Sequence, residues 1–164
     1  MQYIAGGVCA PKGFKAAGVH CGIRRNRSKY DLALIVSDEM ASAAAVYTQN
    51  LVKGAPILVT QKHLENGYAR AVIVNSGNAN TCNANGIEIA EGMCALVREY
   101  TGIREEDVAV ASTGVIGQPL SLQPISDGMQ SLVDALSPGG SVDAANSIMT
   151  TDTLLKQFAV EFEV

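Results

Sequence analysis

The amino-acid sequence predicts one domain of the α/β class, in which strands and helices alternate. Its 164 residues are the length of a single domain, and a composition of 48% hydrophobic and 17% charged residues allows a sizeable core and excludes extensive disorder. Short apolar runs typical of buried strands recur in the first half. In the second half, apolar residues recur at spacings of three and four, which indicates helices.

The first half is predicted to hold mainly strands. Residues 6–27 combine glycines, a proline and basic side chains without an apolar period, so we expect loops and short strands there. Strands buried on at least one face are predicted by four apolar runs, at residues 30–37, 43–48, 56–60 and 70–75. Pro56 would have to lie at the start or the edge of its strand, because proline has no N–H to donate to a ladder.

Three helices and one further strand are predicted in the next segments. A helix ending near Tyr100 is indicated by apolar residues that share one face, namely Ile87, Ala90, Cys94 and Val97. A short buried strand is expected at residues 108–111. The next helix, which a Ser-Pro-Gly-Gly turn at residues 137–140 ends, is indicated in the same way by Ile125, Met129, Leu132 and Leu136. A third helix is expected at residues 143–149.

Residues 158–164 alternate between apolar and polar side chains, which predicts a half-buried strand. Its apolar face would hold Phe158, Val160, Phe162 and Val164. Such a strand needs a neighbour for its backbone groups. We expect the continuation of a longer chain, or a partner, to complete the sheet, and an ordinary terminal strand is the alternative.

Charge and composition exclude several classes of function. A formal net charge of -4 and a pI of about 5.1 provide no positive field for a nucleic-acid backbone. No apolar run approaches the ~20 residues that cross a bilayer, and the N-terminal residues lack the features of a signal peptide. We therefore expect a cytoplasmic protein with neither nucleic acid nor a membrane as its partner.

Metal and redox chemistry are not indicated either. The four cysteines form no CxxC pair, and His20 and His63 lie at none of the usual zinc spacings. We expect free thiols in a reducing compartment. For His63 we expect a surface helix position rather than the role of a catalytic base.

The polar segment at residues 75–81 follows a predicted strand and precedes a predicted helix. It matches neither of the common phosphate-loop patterns, so nucleotide binding is not favoured. Asparagine amides are well suited to satisfy the backbone of a buried turn. We therefore assign structural roles to Asn78 and Asn80.

Residues 112–117 are a stronger candidate for chemistry. The hydroxyl of Thr113 and the N–H of Gly114 are adjacent at a strand end, where both can point to one negatively charged oxygen, as in an oxyanion hole. A polar turn that caps the strand is the alternative. Residues 150–153 also fit a simple helix terminus. Neither histidine has a clear catalytic partner, so covalent chemistry would need a nucleophile from elsewhere.

Four segments together resemble the N-terminal half of the ornithine acetyltransferase (ArgJ) family, in the family's order and over nearly the whole chain. They are residues 6–14 (GGVCAPKGF), 75–80 (NSGNAN), 112–117 (STGVIG) and 148–153 (IMTTDT). Family members are made as one precursor that cleaves itself before a threonine, which becomes the N-terminal nucleophile of the β chain. The resemblance implies that residues 1–164 form a single domain, the α chain or most of it, in a layered α/β sandwich completed by the β chain.

The activity that the resemblance implies is acyl transfer in arginine biosynthesis. The β-chain threonine would take the acetyl group from N-acetylornithine and pass it to glutamate in ping-pong order, with no metal or organic cofactor. Two α and two β chains are expected to form a heterotetramer. The sequence leaves open whether acetyl-CoA also serves as a donor.

Carried over to this sequence, the family's oxyanion hole falls on Thr113 and Gly114. Its substrate contact in the α chain falls on Thr150, with Thr151 as the alternative register, and the nucleophile lies outside this chain. Two other functions stay open. One is a related self-cleaving aminopeptidase with an N-terminal nucleophile, and the other is a non-catalytic small-molecule binding module.

Overall fold

The computed structural model describes residues 1–163, which fold into two sheets flanked by helices. The strands are β1 (Gln2–Ile4), β2 (Phe14–Val19), β3 (Leu32–Ser42), β4 (Tyr68–Asn78), β5 (Val108–Val115) and β6 (Ala159–Glu161). The helices are α1 (Ala55–His63), α2 (Gly86–Thr101), α3 (Gln123–Asp134) and α4 (Ser141–Ile148). Within these residues, no helix has the length and apolar composition needed to cross a bilayer.

The larger sheet has the strand order β2-β3-β4-β5. Neighbours among β2, β3 and β4 are antiparallel, whereas β4 and β5 run parallel. A parallel pair needs a long crossover connection, which α2 and its flanking loops supply. The carboxyl ends of β4 and β5 therefore lie side by side at one end of the sheet.

One face of the larger sheet carries the main hydrophobic core. Strands β3, β4 and β5 and helices α2 and α3 contribute most of its fully buried side chains, which include Leu32, Leu34, Ile73, Met93, Val97, Ile125, Met129 and Leu132. Burying one such side chain contributes about 1.5–3 kcal/mol. This cluster is therefore the main source of stability for the sheet and for the strand ends that it positions.

Helix α4 covers the opposite face of the sheet through small residues. Ala16, Ala33 and Ala144 form a second buried cluster between this helix and the sheet. A Cβ atom on Gly18 would lie 2.2 Å from the backbone oxygen of Asp143, so glycine is required for α4 to approach β2 so closely. A Cβ on Gly18 would also lie 2.2 Å from the hydroxyl oxygen of Ser147, so the close approach extends to the last turn of α4, directly before the polar segment that follows it.

The three predicted helices and three of the predicted strands are confirmed. Helices α2, α3 and α4 lie within a few residues of the expected ranges, as do the strands expected at residues 30–37, 70–75 and 108–111. Helix α2 is followed by Gly102, which has a positive φ of 75° and donates its N–H to the Arg98 carbonyl. Both features are typical of a glycine at a helix C-terminus.

Two of the predicted strands are wrong. Residues 56–60 lie in α1, where Pro56 is in the first turn and needs no N–H partner. A short apolar run is compatible with either element, and here Val59 is buried while Leu58 is 46% exposed. Residues 43–48 form no strand, because β4 begins at Tyr68, opposite Ser42 of β3, and so no strand runs beside them.

The predicted C-terminal strand is present but short. β6 pairs antiparallel with β1, and the ring of Phe158 packs edge-on against that of Tyr3 with a centroid distance of 6.2 Å. Phe158, Val160 and Phe162 are exposed in this chain, so the strand buries no apolar face here. Val164 lies outside the described residues. Cover from a partner stays a prediction.

Candidate functional site

Thr113 and Gly114 lie at the carboxyl end of β5, which is an edge strand of the larger sheet. In the parallel pairing with β4, Thr113 is opposite Ser76 and Gly114 is opposite Gly77. Thr113 is half-buried and Gly114 is exposed. The two residues predicted to form an oxyanion hole therefore lie near the end of an edge strand, next to solvent.

A glycine is required at position 114. Its φ is +130°, a conformation that side chains with a Cβ rarely adopt. A Cβ there would also lie 2.4 Å from the carbonyl carbon of Gly77 and 2.7 Å from the backbone nitrogen of Asn78. The backbone of Gly114 thus approaches β4 more closely than any other residue type permits.

The hydrogen bonds of β5 show the direction of its backbone amides. Val110 exchanges two hydrogen bonds with the hydroxyl of Thr60 in α1, on the side away from β4, whereas the carbonyl of Val115 accepts from the N–H of Ala79 on the β4 side. In a regular strand successive amides point to opposite sides, so the position of Gly114 corresponds to that of Val110, on the side of the open edge. A backbone N–H on that side of an edge strand can bind an anionic oxygen.

Asparagine side chains stabilise the end of β4 and the loop after it through hydrogen bonds to backbone carbonyls, which is a structural role. The Asn75 amide donates to the carbonyl of Asn78 at 2.9 Å, and the Asn78 amide donates to that of Gln118 at 3.0 Å. Asn80, at a positive φ of 48°, is fully buried and donates to the carbonyl of Gly86 at 2.8 Å. These bonds tie the end of β4 to the loops that flank the candidate site.

Thr150 follows α4, and two contacts bring it to the same end of the sheet. The hydroxyl of Ser76, the residue opposite Thr113, donates to the carbonyl of Ser147. The guanidinium of Arg24 donates to the carbonyl of Met149, the residue before Thr150. The structure therefore places the two predicted site segments next to each other through Ser76 and Arg24.

Thr150 and its alternative Thr151 differ in exposure, since Thr150 is half-buried and Thr151 is exposed. The backbone N–H of Thr150 lies 3.4 Å from a carboxylate oxygen of Asp152. A hydrogen bond from the Lys156 ammonium lowers the pKa of that carboxyl, as does the Thr150 N–H. The turn after α4 is thus held by an ionised Asp152.

Arg24 is a residue of this site that no sequence pattern indicates. Its side chain lies over Gly77, where a Cβ would be 2.9 Å from the Arg24 Cγ. Its backbone N–H donates at 2.8 Å to Asp31, a fully buried carboxylate that also accepts the N–H of Cys21 at 2.7 Å. No local pattern could have found this arrangement, because the site residues that the Arg24 side chain contacts are distant in sequence.

In the part of the chain that the structure describes, neither histidine forms a hydrogen bond with Thr113, Gly114 or Thr150, and the Cys94 thiol is buried in the core. His63 ends α1 and lies 2.8 Å from the carbonyl of Val108 through its Nδ1 atom, and His20 lies 3.2 Å from Asp31. Burial raises the pKa of the Cys94 thiol to about 12. In residues 1–163, no group of three or more His, Cys, Asp or Glu side chains is arranged to hold a metal ion.

An apolar cleft of about 300 Å³ lies between α4, the sheet and residues 156–158. Its lining includes Ile35, Val74, Ala144, Ile148 and Phe158. Thr113 and Thr150 are not among the lining residues. The cleft is therefore distinct from the candidate site at the ends of β4 and β5.

Comparisons with known proteins agree with this description. The model of the ArgJ family matches residues 15–164. The arginine biosynthesis bifunctional protein ArgJ of Symbiobacterium thermophilum is 49% identical over the whole chain, and the glutamate N-acetyltransferase of Methanocaldococcus jannaschii is 42% identical over the whole chain. The chain spans 41% and 40% of the length of these two curated relatives.

Two solved structures share the fold. One is the arginine biosynthesis bifunctional protein ArgJ of Bacillus halodurans, with a TM-score of 0.86 and 40% identity over 93% of this chain and 81% of that one. The other is the ornithine acetyltransferase of Mycobacterium tuberculosis complexed with ornithine, with a TM-score of 0.84 and 38% identity over 93% of this chain and 84% of that one. They confirm the predicted α/β fold and the resemblance stated from the sequence motifs, and the chain belongs to the ArgJ family.

Proposed function

We propose that this chain is the N-terminal, α portion of a glutamate N-acetyltransferase, which moves the acetyl group of N-acetylornithine to glutamate in arginine biosynthesis. The observation that carries the proposal is the pair Thr113 and Gly114, which places a hydroxyl and a backbone N–H next to each other at the end of an edge strand. The names of the relatives support it, since they include a glutamate N-acetyltransferase and an ornithine acetyltransferase complexed with ornithine.

The catalytic nucleophile of the proposed enzyme is the N-terminal threonine of a β chain made from the same precursor. The coverage of the relatives supports a division into two chains. This chain spans 41% of the curated Symbiobacterium thermophilum protein but 81% of the solved Bacillus halodurans chain, so the solved chain is about half as long as the curated protein. We further propose an assembly of two α and two β chains.

In the first half-reaction, the threonine hydroxyl attacks the acetyl carbonyl of N-acetylornithine, and its proton passes to the free α-amine of the same threonine. The negative charge that develops on the carbonyl oxygen is stabilised by the Thr113 hydroxyl and the Gly114 N–H. The intermediate then collapses. The bond to the ornithine nitrogen breaks, this nitrogen takes up the proton, and the acetyl group stays on the threonine as an ester.

In the second half-reaction, the glutamate amine attacks the ester carbonyl, and the same two donors stabilise the oxyanion. The threonine oxygen leaves and regains a proton, and N-acetylglutamate is released. Thr150 contacts the substrate and orients it toward the nucleophile. Every proton and acyl transfer in this sequence is carried out by protein and substrate groups, and acetyl-CoA would enter as an alternative donor in the first half-reaction.

The test uses the complete protein, expressed as one precursor, with N-acetylornithine and glutamate as substrates. We expect N-acetylglutamate and ornithine in equal amounts, and parallel double-reciprocal plots, which are the kinetic sign of a ping-pong order. Residues 1–164 alone should show no turnover. Hydrolysis of a peptide amide without acetyl transfer would instead favour the aminopeptidase, and ligand binding without any turnover would favour the binding module.

A further inference from the structure

Arg24 lies on a third segment of the chain and contacts both of the segments that hold the predicted site residues. The stem of its side chain lies over Gly77, the residue opposite Gly114 in the sheet. Its guanidinium Nη2 donates to the carbonyl of Met149, directly before Thr150. One side chain thus joins the strand end that bears the oxyanion donors to the segment that bears the substrate contact.

The loop that carries Arg24 is itself held firmly. Asp31 is fully buried, and its two carboxylate oxygens accept the backbone N–H groups of Cys21 and Arg24 at 2.7 and 2.8 Å. Hydrogen bonds to a charged group are among the stronger ones in proteins. These two bonds therefore fix the backbone from which the Arg24 side chain extends to Met149.

The Nε atom of Arg24 is buried and has no hydrogen-bond partner within residues 1–163. A buried donor without a partner costs stability, and such groups in native proteins call for a reason other than stability. An apolar side chain could also pack over Gly77, so packing alone does not account for the guanidinium. The hydrogen bond to Met149 is the feature that distinguishes arginine from an apolar residue of the same length.

We infer that Arg24 is a positioning residue, which holds the Met149 carbonyl and so sets the place of Thr150 relative to Thr113 and Gly114. This inference rests on the function proposed above. Thr150 contacts the substrate both before and during the reaction, so displacing it weakens ground-state and transition-state binding alike. Such a loss raises KM and leaves kcat nearly unchanged.

The test compares three variants of the complete protein. Arg24→Met keeps the length of the stem but removes the donor, Arg24→Lys keeps one charged donor, and Arg25→Met is the matched control at an exposed neighbour. For Arg24→Met we expect KM for N-acetylornithine to rise by roughly 10-fold or more, which is the order expected for the loss of a hydrogen bond from a charged group, with kcat within about threefold of the original value. Arg24→Lys should restore part of the loss, and Arg25→Met should resemble the unmodified protein.

A double-mutant cycle with Thr150→Ala separates positioning from a general structural effect. If Arg24 acts through Thr150, Arg24→Met should add little to the KM of the Thr150→Ala protein. Fully additive effects, or a loss of kcat without a change in KM, would overturn the inference. An unmodified protein that does not transfer acetyl groups would overturn the proposed function instead, and a normal KM in a folded, active Arg24→Met protein would overturn the inference alone.

Discussion

Gly77 and Gly114 lie opposite each other in the parallel pair of β4 and β5, and both have positive φ angles, of 107° and 130°. A Cβ on Gly114 would be 2.4 Å from the carbonyl carbon of Gly77, and one on Gly77 would be 2.9 Å from the Cγ of Arg24. Because neither residue has a Cβ, the backbone of β5 packs directly against the backbone of β4, and the Arg24 side chain packs directly over Gly77. Both the proposed oxyanion donors and the segment before Thr150 lie next to this contact.

Gly114→Ala should therefore destabilise the protein more than a substitution at another glycine of positive φ. Gly117 is the matched control, because its φ is +72° and no atom lies within 4 Å of the position that a Cβ would take there. We expect a loss of about 1 kcal/mol for Gly117→Ala from backbone strain, and of at least about 2 kcal/mol for Gly114→Ala from strain and overlap together. Thermal melts of the complete protein measure both, and equal losses would show that the close approach to Gly77 is not rigid.

The thiol of Cys94 should stay unreactive in the folded protein. Burial, with Glu105 and Glu91 nearby, raises its pKa from 9.0 to about 12, whereas Cys82 is exposed. Since the folded state holds this proton more tightly than the unfolded state, the contribution to stability is present below pH 9 and is lost as the pH rises toward 12.

Alkylation at pH 8, followed by mass spectrometry, checks this prediction. Cys82 should be modified first, and Cys94 only after unfolding in denaturant, because the thiolate is the reactive form. A Cys94→Ala protein should lose less stability between pH 8 and 10 than the unmodified protein. Rapid modification of Cys94 without denaturant would mean that the core around α2 opens readily.

The exposed aromatic side chains near β6 should become buried in the complete protein. Phe162 is 63% exposed in this chain, whereas Glu161 points to the other side of the strand and accepts a hydrogen bond from Gln2 at 2.9 Å. We expect Phe162→Glu to weaken the association of the proposed α and β portions, since burial of one such side chain contributes about 1.5–3 kcal/mol. Glu161→Lys should have little effect, because an exposed polar contact contributes little.

Co-purification of the two portions, together with thermal melting, tests this pair of substitutions. If Phe162→Glu and Glu161→Lys are tolerated equally well, the apolar face of β6 is not part of the interface. The prediction is independent of the catalytic mechanism, because neither residue lies in the candidate site.

Elements with a strong period could be predicted from the sequence, and those determined by their neighbours could not. The apolar residues of α2 lie on one face over 16 residues, and this pattern has no other simple interpretation. In α1, by contrast, the nine residues show little separation of apolar and polar faces, so that the apolar run resembled a strand. Residues 43–48 are mostly apolar, but they follow Ser42, which pairs with Tyr68 at the start of β4. Within the described chain they therefore have no neighbouring strand with which to pair.

The same division holds for the candidate site. Thr113 and Gly114 could be proposed from the sequence because the two donors are adjacent and lie at a strand end. The contact of Arg24 with Met149 joins residues 125 positions apart, and its formation depends on the packing of α4 against Gly18 and Ser76. No local pattern records such an arrangement, because it forms only when distant segments pack together.

The role of Thr113 as an oxyanion donor is tested most directly by the steady-state kinetics of the complete protein with Thr113→Ala. An oxyanion donor acts on charge that is present only in the transition state, so kcat should fall by ~10²–10³ while KM for N-acetylornithine changes little. Thr113→Ser, which keeps the hydroxyl, should retain most of the activity. A Thr113→Ala protein that is folded and has an unchanged kcat would contradict the account.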